Sequence, residues 1–342
     1  MPRYANRTTN RQRGWLALLA ALSVLAAPPA SAESVKIGVL KTTGSGPAYI
    51  AHDKGYFTAE GLTSELVFFD SAQPISVAIA SGGIDIGYTG LTGGFYGLAS
   101  QGVLRVVGGG AHETPGFPYQ PFLVSNKAYE AGVKSFRDFP GHSFGVSQIG
   151  SPPHYAMGLL AEKYGFDLKS MRIQPLQSIP NMASAISAGS VDTTMVPGNV
   201  GVGLIERGAA KLLGYAGDET PYQLVGVMVS SKEADERQDF LKRALRAIKK
   251  GTEDYHAAFT GPDGKPREGP TAPAIYALMA KYAGQSIEEV KRSIPYIDAE
   301  NRLDIADVMR QLAWYKAQGM VKGTAGGDAI IDQRYAVAMP TQ

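Results

Sequence analysis

The chain has 342 residues, with 33 Lys and Arg against 31 Asp and Glu, 44% hydrophobic residues and no cysteine. So even a balance makes no global case for a nucleic-acid or anionic-membrane partner. The absence of cysteine excludes disulfides, thiol chemistry and cysteine-based metal sites, and the length suffices for one large domain or two moderate ones.

The first segment reads as an export signal. Arg3, Arg7, Arg11 and Arg13 form a basic stretch without an acid, Trp15 to Ala27 is apolar, and Ala30-Ser31-Ala32 is a small-x-small cleavage pattern before Glu33. That describes a cleavable signal peptide over 1–32, too short and too poorly flanked to span a membrane. Residues 1–32 hold four of the basic residues and none of the acidic ones, so the remainder is weakly acidic. No cysteine follows the apolar run to carry a lipid, and no later window reaches a spanning length. The expectation is a released chain without membrane insertion.

From Val35 onward, strands and helices alternate. Lys36 to Leu40 is an apolar strand ending in Thr42-Thr43-Gly44-Ser45-Gly46, and Pro47 sits where a helix can open. That helix stops at Gly55. A second strand, Glu65 to Phe69, ends in Asp70-Ser71 before a helix from about Pro74 to Ser81, and Ile84 to Tyr88 is a third, short strand. Each turn sets small polar side chains and free N–H groups at the C-terminal edge of a sheet, where open α/β sheets bind small ligands. Pro118 and Pro121 keep Pro118 to Val124 extended, and the first crossing between two lobes is expected there. Further strands are predicted near Ser143–Val146, Arg172–Leu176 and Thr193–Val196, with a return strand at Leu224–Val229. Helices over Arg237–Tyr255, Ala272–Tyr282, Ile287–Ser293 and Ile305–Gln318 should then pack mainly on lobe one. In the last of these, Ile305, Met309, Leu312 and Lys316 recur at helical spacing. An internal echo, Ala78 to Asp85 against Ala185 to Asp192, points to two lobes of similar build, although such Ala/Gly-rich joints also recur by chance.

The segment Pro47, Ala51, Gly55-Tyr56-Phe57, Glu60-Gly61-Leu62, followed by Ala78, Gly82 and Asp85-Ile86-Gly87, resembles the start of ABC-importer substrate-binding proteins of the nitrate/sulfonate/taurine family. The likeness continues through Ser135-Phe136-Arg137-Asp138-Phe139-Pro140-Gly141 and reaches Gln311-Leu312-Ala313-Trp314-Tyr315 and Gly319-Met320-Val321. It implies the two-lobe type II periplasmic-binding-protein fold, α/β, each lobe a mixed sheet flanked by helices, with two crossing strands as the hinge. Lobe one would comprise 33–120 and 225–342, and lobe two 121–224. It also implies a monomeric periplasmic receptor that hands a small ligand to a permease and its ATPase and carries no cofactor.

Candidate ligand contacts lie on the turns at the sheet edges. In lobe one they are Thr42, Thr43, Ser45, Asp70, Gly90 and Thr92. Asp70 suits either an amine on a zwitterion or a helix cap. In lobe two, Gln148, Ser151 and His154 surround a helix opening at Pro152, whose positive end suits an oxyanion, and Asn199 is the counterpart of the Gly90 turn. His112 follows the glycine-rich end of a strand, and Tyr119 on the crossing can roof a ligand or pack the hinge. His52, His142 and His256 have no partner pattern. No metalloprotease, nucleophile-elbow or Walker motif occurs, and Gly201-Val202-Gly203 meets Glu206 where a dinucleotide fingerprint needs Gly. The related thiamine-pyrimidine synthases use a Cys-rich motif that a cysteine-free chain lacks. The expected ligand is a sulfonate or taurine-like anion or zwitterion. An aromatic carboxylate or thiamine pyrimidine precursor is the alternative, and a secreted enzyme on the same architecture is the more distant rival.

Overall fold

The computed structural model describes residues 1–4, 33–324 and 326–340. The signal-peptide pattern and its cleavage point after Ala32 lie outside the described residues, apart from residues 1–4. Strands β1 (Glu33–Leu40), β2 (Leu62–Phe69), β3 (Ile86–Gly90) and β4 (Leu104–Gly109) alternate with helices. Strands β5 (Ala111–Glu113) and β6 (Pro121–Ser125) follow. A second alternating run contains β7 (Ser143–Val146), β8 (Arg172–Pro175), β9 (Thr193–Met195) and β10 (Ala210–Tyr215). Then come β11 (Tyr222–Gln223), β12 (Val225–Ser230) and β13 (Tyr296–Ile297).

These strands build a two-lobe α/β molecule. One sheet has the order β2-β1-β3-β12-β4, the other β10-β6-β9-β7-β8, and β11-β5-β13 forms a small sheet between them. In each large sheet the early strands pair in parallel while the strand returning from the other lobe pairs antiparallel. The sheets are thus mixed, and their first parallel edges carry the turns that the sequence marks.

The internal echo has a structural counterpart. Helix Ala72–Ala80 leads to Asp85, whose Oδ2 accepts the Lys36 N–H at 2.8 Å, while helix Ile179–Ser187 leads to Asp192, whose Oδ2 accepts the Ser143 N–H at 2.8 Å. In both lobes the Asp therefore satisfies a backbone donor on the neighbouring strand. Helix Pro152–Tyr164 opens on Pro152 and ends at Gly165, whose φ of 73° is left-handed, as the local signals predict.

Two expectations change. The crossing falls at β5 and β11, which pair antiparallel, and Pro118 to Gln120 lies beyond it, leading into β6 of the second sheet. Helix Ile305–Ala317 does not serve lobe one alone. Its buried residues are Asp307, Val308, Gln311, Leu312 and Tyr315, while Ile305 and Met309 of the predicted stripe are partly buried against the core. The two buried polar side chains are tolerated because both are hydrogen-bonded. Asp307 accepts from the Tyr155 hydroxyl of lobe two at 3.1 Å, and the Trp314 ring meets His154 edge-on at 5.3 Å between centroids. The helix is a brace across both lobes.

Candidate ligand-binding site

Among the described residues, hydrogen bonds join the lobes at the sheet edges. The Gly93 N–H donates to the Gly150 carbonyl at 2.8 Å, and the Ile179 N–H donates to the Asp70 carbonyl at 3.1 Å. Gln148 Nε2 donates to Ser71 Oγ at 2.9 Å, and Asn199 Nδ2 to the Lys41 carbonyl at 3.2 Å. The structure is therefore in a closed arrangement.

Beneath these contacts lies a cavity between the lobes. It offers about 60 Å³ to the centres of water-sized molecules, against roughly 10–15 Å³ for one water on that measure. This is room for a small molecule and not for a polymer. Its wall combines hydroxyls from Thr42, Ser45, Tyr88, Thr89 and Tyr119 with apolar side chains such as Ile179, Met182, Met195 and Leu224. Among the described residues, no Lys, Arg, His, Asp or Glu lines it.

The wall is also where helices begin. Ser45 precedes helix Gly46–Asp53, Ser71 precedes Ala72–Ala80, and Pro197 precedes Gly198–Glu206, while Pro152 and Ile179 are the first residues of their helices. Five helix N-termini thus converge on one small space. Each carries the partial positive charge of its helix dipole, which attracts an anion without a cationic side chain. The helix starting at Pro152 contributes only this field. Pro152 and Pro153 have no N–H, and the next two, His154 and Tyr155, both donate to the Ser151 carbonyl at 2.9 and 3.3 Å. Direct donation must come from elsewhere on the wall.

Of the predicted contacts, the structure brings Thr42, Ser45, Gly90 and Tyr119 to the cavity. Gln148 and Asn199 instead bridge the lobes at its rim. Thr43 is turned away and donates to the Ser293 carbonyl. Thr92 caps helix Gly93–Ser100 by accepting the Phe95 N–H at 3.1 Å. Asp70 is exposed and neither lines the cavity nor caps the helix, since the N-cap position belongs to Ser71. His112 faces the hinge, where it contacts Thr114 Oγ1 at 2.9 Å and Asp304 Oδ2 at 3.4 Å, and this partner holds the Asp304 carboxyl below its ordinary range. Ser151 occupies an N-cap position without making a cap hydrogen bond, and its buried Oγ has no partner among the described residues. Sequence reasoning missed Tyr88, Gln120, Met182, Met195 and Leu224 as contacts. Strand and helix interiors carry no local mark of which side chain reaches a cleft, although the Pro152-Pro153 pair was a readable sign of lost donors.

His154 does not reach the cavity. Its Nδ1 accepts the Gly150 N–H at 3.1 Å, and burial drives the imidazole down to about 4. A folded-state value below the unfolded one means that the unfolded chain takes up the proton first. This contribution is therefore complete above about pH 6.5 and disappears as pH falls towards 4. Moving from pH 7 to pH 5 should cost about 1–2 kcal/mol through this residue. Urea unfolding at the two pH values checks it, and His154→Asn should show a correspondingly smaller loss.

The family model described as NMT1/THI5 like matches residues 42–260. The chain belongs to the NMT1/THI5-like family. Among solved structures, the NMT1/THI5-like chain is similar to the alkanesulfonate-binding protein SsuA from Xanthomonas axonopodis pv. citri bound to MOPS, at 18% identity, TM-score 0.69, covering 91% of this chain and 100% of that one. It is similar to the periplasmic aliphatic sulphonate binding protein SsuA from Escherichia coli at 18% identity and TM-score 0.67, covering 91% and 95%. It also resembles the ligand binding component of an ABC-type import system from Staphylococcus aureus with zinc bound, at 15% identity and TM-score 0.69, covering 89% and 97%. A comparison with curated protein sequences finds no match. At these identities the structural neighbours establish the periplasmic-binding-protein fold for the NMT1/THI5-like chain. Among its described residues, no helix is long and apolar enough to cross a membrane.

Proposed function

We propose that the protein is a periplasmic solute receptor of an ABC importer, with lobe one formed by the residues from Glu33 up to β5 and those after β11, and lobe two by the residues between β5 and β11. It holds a small organic oxyanion with an apolar body and passes it unchanged to a permease and its ATPase. The observation that carries this reading is the convergence of five helix N-termini on a cavity with no charged side chain. Helix ends and hydroxyls stabilise a buried anionic head, while Ile179, Met182, Met195 and Leu224 cover an aliphatic or aromatic tail. The sulfonate-binding neighbours fit the same reading.

The wall narrows the ligand class. An ammonium group would meet five positive helix ends and no carboxylate, so a plain alkanesulfonate or carboxylate is favoured over a zwitterion such as taurine. An enzymatic role finds little support in the same wall, which holds no imidazole, carboxylate or amine for proton transfer. The strongly perturbed carboxyl nearby, Glu113, is raised by burial in the hinge sheet and does not line the cavity. Thermal unfolding with butanesulfonate, benzoate, nitrate and taurine tests the proposal. A ligand present at about 100 times its Kd adds roughly 2.7 kcal/mol, or several degrees in Tm. Butanesulfonate or benzoate should give that rise and taurine should not. A response to taurine alone would reverse the assignment.

A further inference from the structure

Tyr88 and Tyr119 line the cavity and belong to a buried group of tyrosines in which one hydroxyl stands apart. The Tyr49 hydroxyl donates to the Leu40 carbonyl and accepts the Thr42 N–H at 3.3 Å. The Tyr119 hydroxyl accepts the Gly44 N–H at 3.2 Å, and the Tyr255 hydroxyl donates to the Pro295 carbonyl at 2.8 Å. Tyr88 belongs to the same cluster and is 0% exposed, yet its hydroxyl has no hydrogen-bond partner among the described residues. It lies on β3 and lines the cavity. A buried phenol without a partner costs free energy that a Phe at this position would avoid. A residue of this kind in a cavity wall is explained when the partner arrives with the ligand.

Local packing keeps the hydroxyl in place. A Cβ on Gly110 would stand 2.8 Å from Tyr88 Oη and 2.6 Å from Val225 Cγ1, so the hydroxyl packs closely where the chain enters the crossing strand. Burial pushes the phenol far above its ordinary value, so it stays a donor over the whole range in which proteins fold. The neighbouring Thr89 also lines the cavity, is 1% exposed, and has an unpartnered Oγ1.

We propose that Tyr88, seconded by Thr89, is the specificity-determining donor that binds the ligand's oxyanion head. This rests on the receptor reading above and identifies the atoms that select for an acceptor-rich head group. The apolar wall then sets only the length and girth of the tail.

Tyr88→Phe and Thr89→Val keep shape and remove only hydroxyls. For whichever of butanesulfonate or benzoate stabilises the wild-type protein, calorimetric titration should show Kd rising about tenfold or more in Tyr88→Phe, the loss typical of a hydrogen bond to a charged acceptor. Thr89→Val should show a smaller rise. The ligand-free Tm of Tyr88→Phe should be equal to or higher than that of the wild type. An unchanged Kd in Tyr88→Phe overturns the inference. So does a fall in its ligand-free Tm or a failure to fold, since either shows that the hydroxyl serves the protein itself. If neither probe stabilises the wild type, the proposed ligand class fails separately, and Tyr88 is then decided by the ligand-free Tm alone.

Discussion

Asp307→Ala should lower the unfolding free energy by about 3–5 kcal/mol, the range for removing one partner from a buried charged network. Asp307 is 4% exposed and accepts from four residues, Arg310 contributing through both Nε at 2.9 Å and Nη2. Its Oδ2 accepts the Gln223 N–H at 2.8 Å and Gln311 Nε2 at 2.8 Å, and its Oδ1 accepts the Tyr155 hydroxyl at 3.1 Å and Arg310 Nη2 at 2.6 Å. Alanine strands all of them, and the desolvation of each buried donor is no longer offset. The Arg310 share is the smallest because that side chain is about half exposed and screened by solvent. The position of the residue adds to the effect. Gln223 lies on the returning crossing strand β11 and Tyr155 on the lobe-two helix, so one carboxylate ties hinge, brace and second lobe together. Urea unfolding measures the loss. Asp307→Asn should fall between alanine and wild type because it keeps an acceptor, and a loss below about 1 kcal/mol for alanine would show that the network is not a stabilising centre.

The contrast between Asp307 and the turns that the sequence marks explains what was legible. Pro152 opening a helix and Gly165 closing it are signals carried within a few residues, and so are the echoed Gly-to-Asp joints at Asp85 and Asp192. These local rules give the alternating architecture and the sheet-edge turns. They do not tell which side chains cross from one lobe to the other. Asn199 is expected at the site by analogy with the Gly90 turn, yet its Nδ2 donates to the Lys41 carbonyl across the rim. His112 looked like a cleft residue because it follows three glycines, but pairing with β11 and β13 turns its ring towards Asp304. In helix Ile305–Ala317, apolar spacing finds Leu312 and the partly buried Ile305 and Met309 but not Asp307 and Gln311, which are buried on the strength of partners from distant parts of the chain. Hydrophobic periodicity has no term for a satisfied polar residue. Tyr88 reads in sequence as an ordinary strand aromatic, because nothing local marks a hydroxyl that is buried without a partner.

Gly90→Val should raise the ligand Kd by about 100-fold or more, roughly 3 kcal/mol, while leaving the ligand-free protein folded. A Cβ at Gly90 would lie 2.8 Å from Cγ of Pro152, too close without movement, whereas Ala72 Cβ at 3.6 Å and the Leu224 carbonyl at 3.7 Å are at ordinary contact. The clash is therefore between lobes, and it strikes a rigid pyrrolidine ring that has no alternative rotamer. Valine suits a strand position, so the open arrangement accommodates it and only closure is penalised. A ligand held by both lobes depends on closure for half its contacts, and a penalty on the closed state reduces apparent affinity by the same factor. Calorimetric titration gives the Kd, and small-angle scattering with ligand should show the variant remaining more extended than the wild type. An unaltered Kd would mean that the ligand is held by one lobe alone, which would remove the reason for five helix starts to meet at a single cavity.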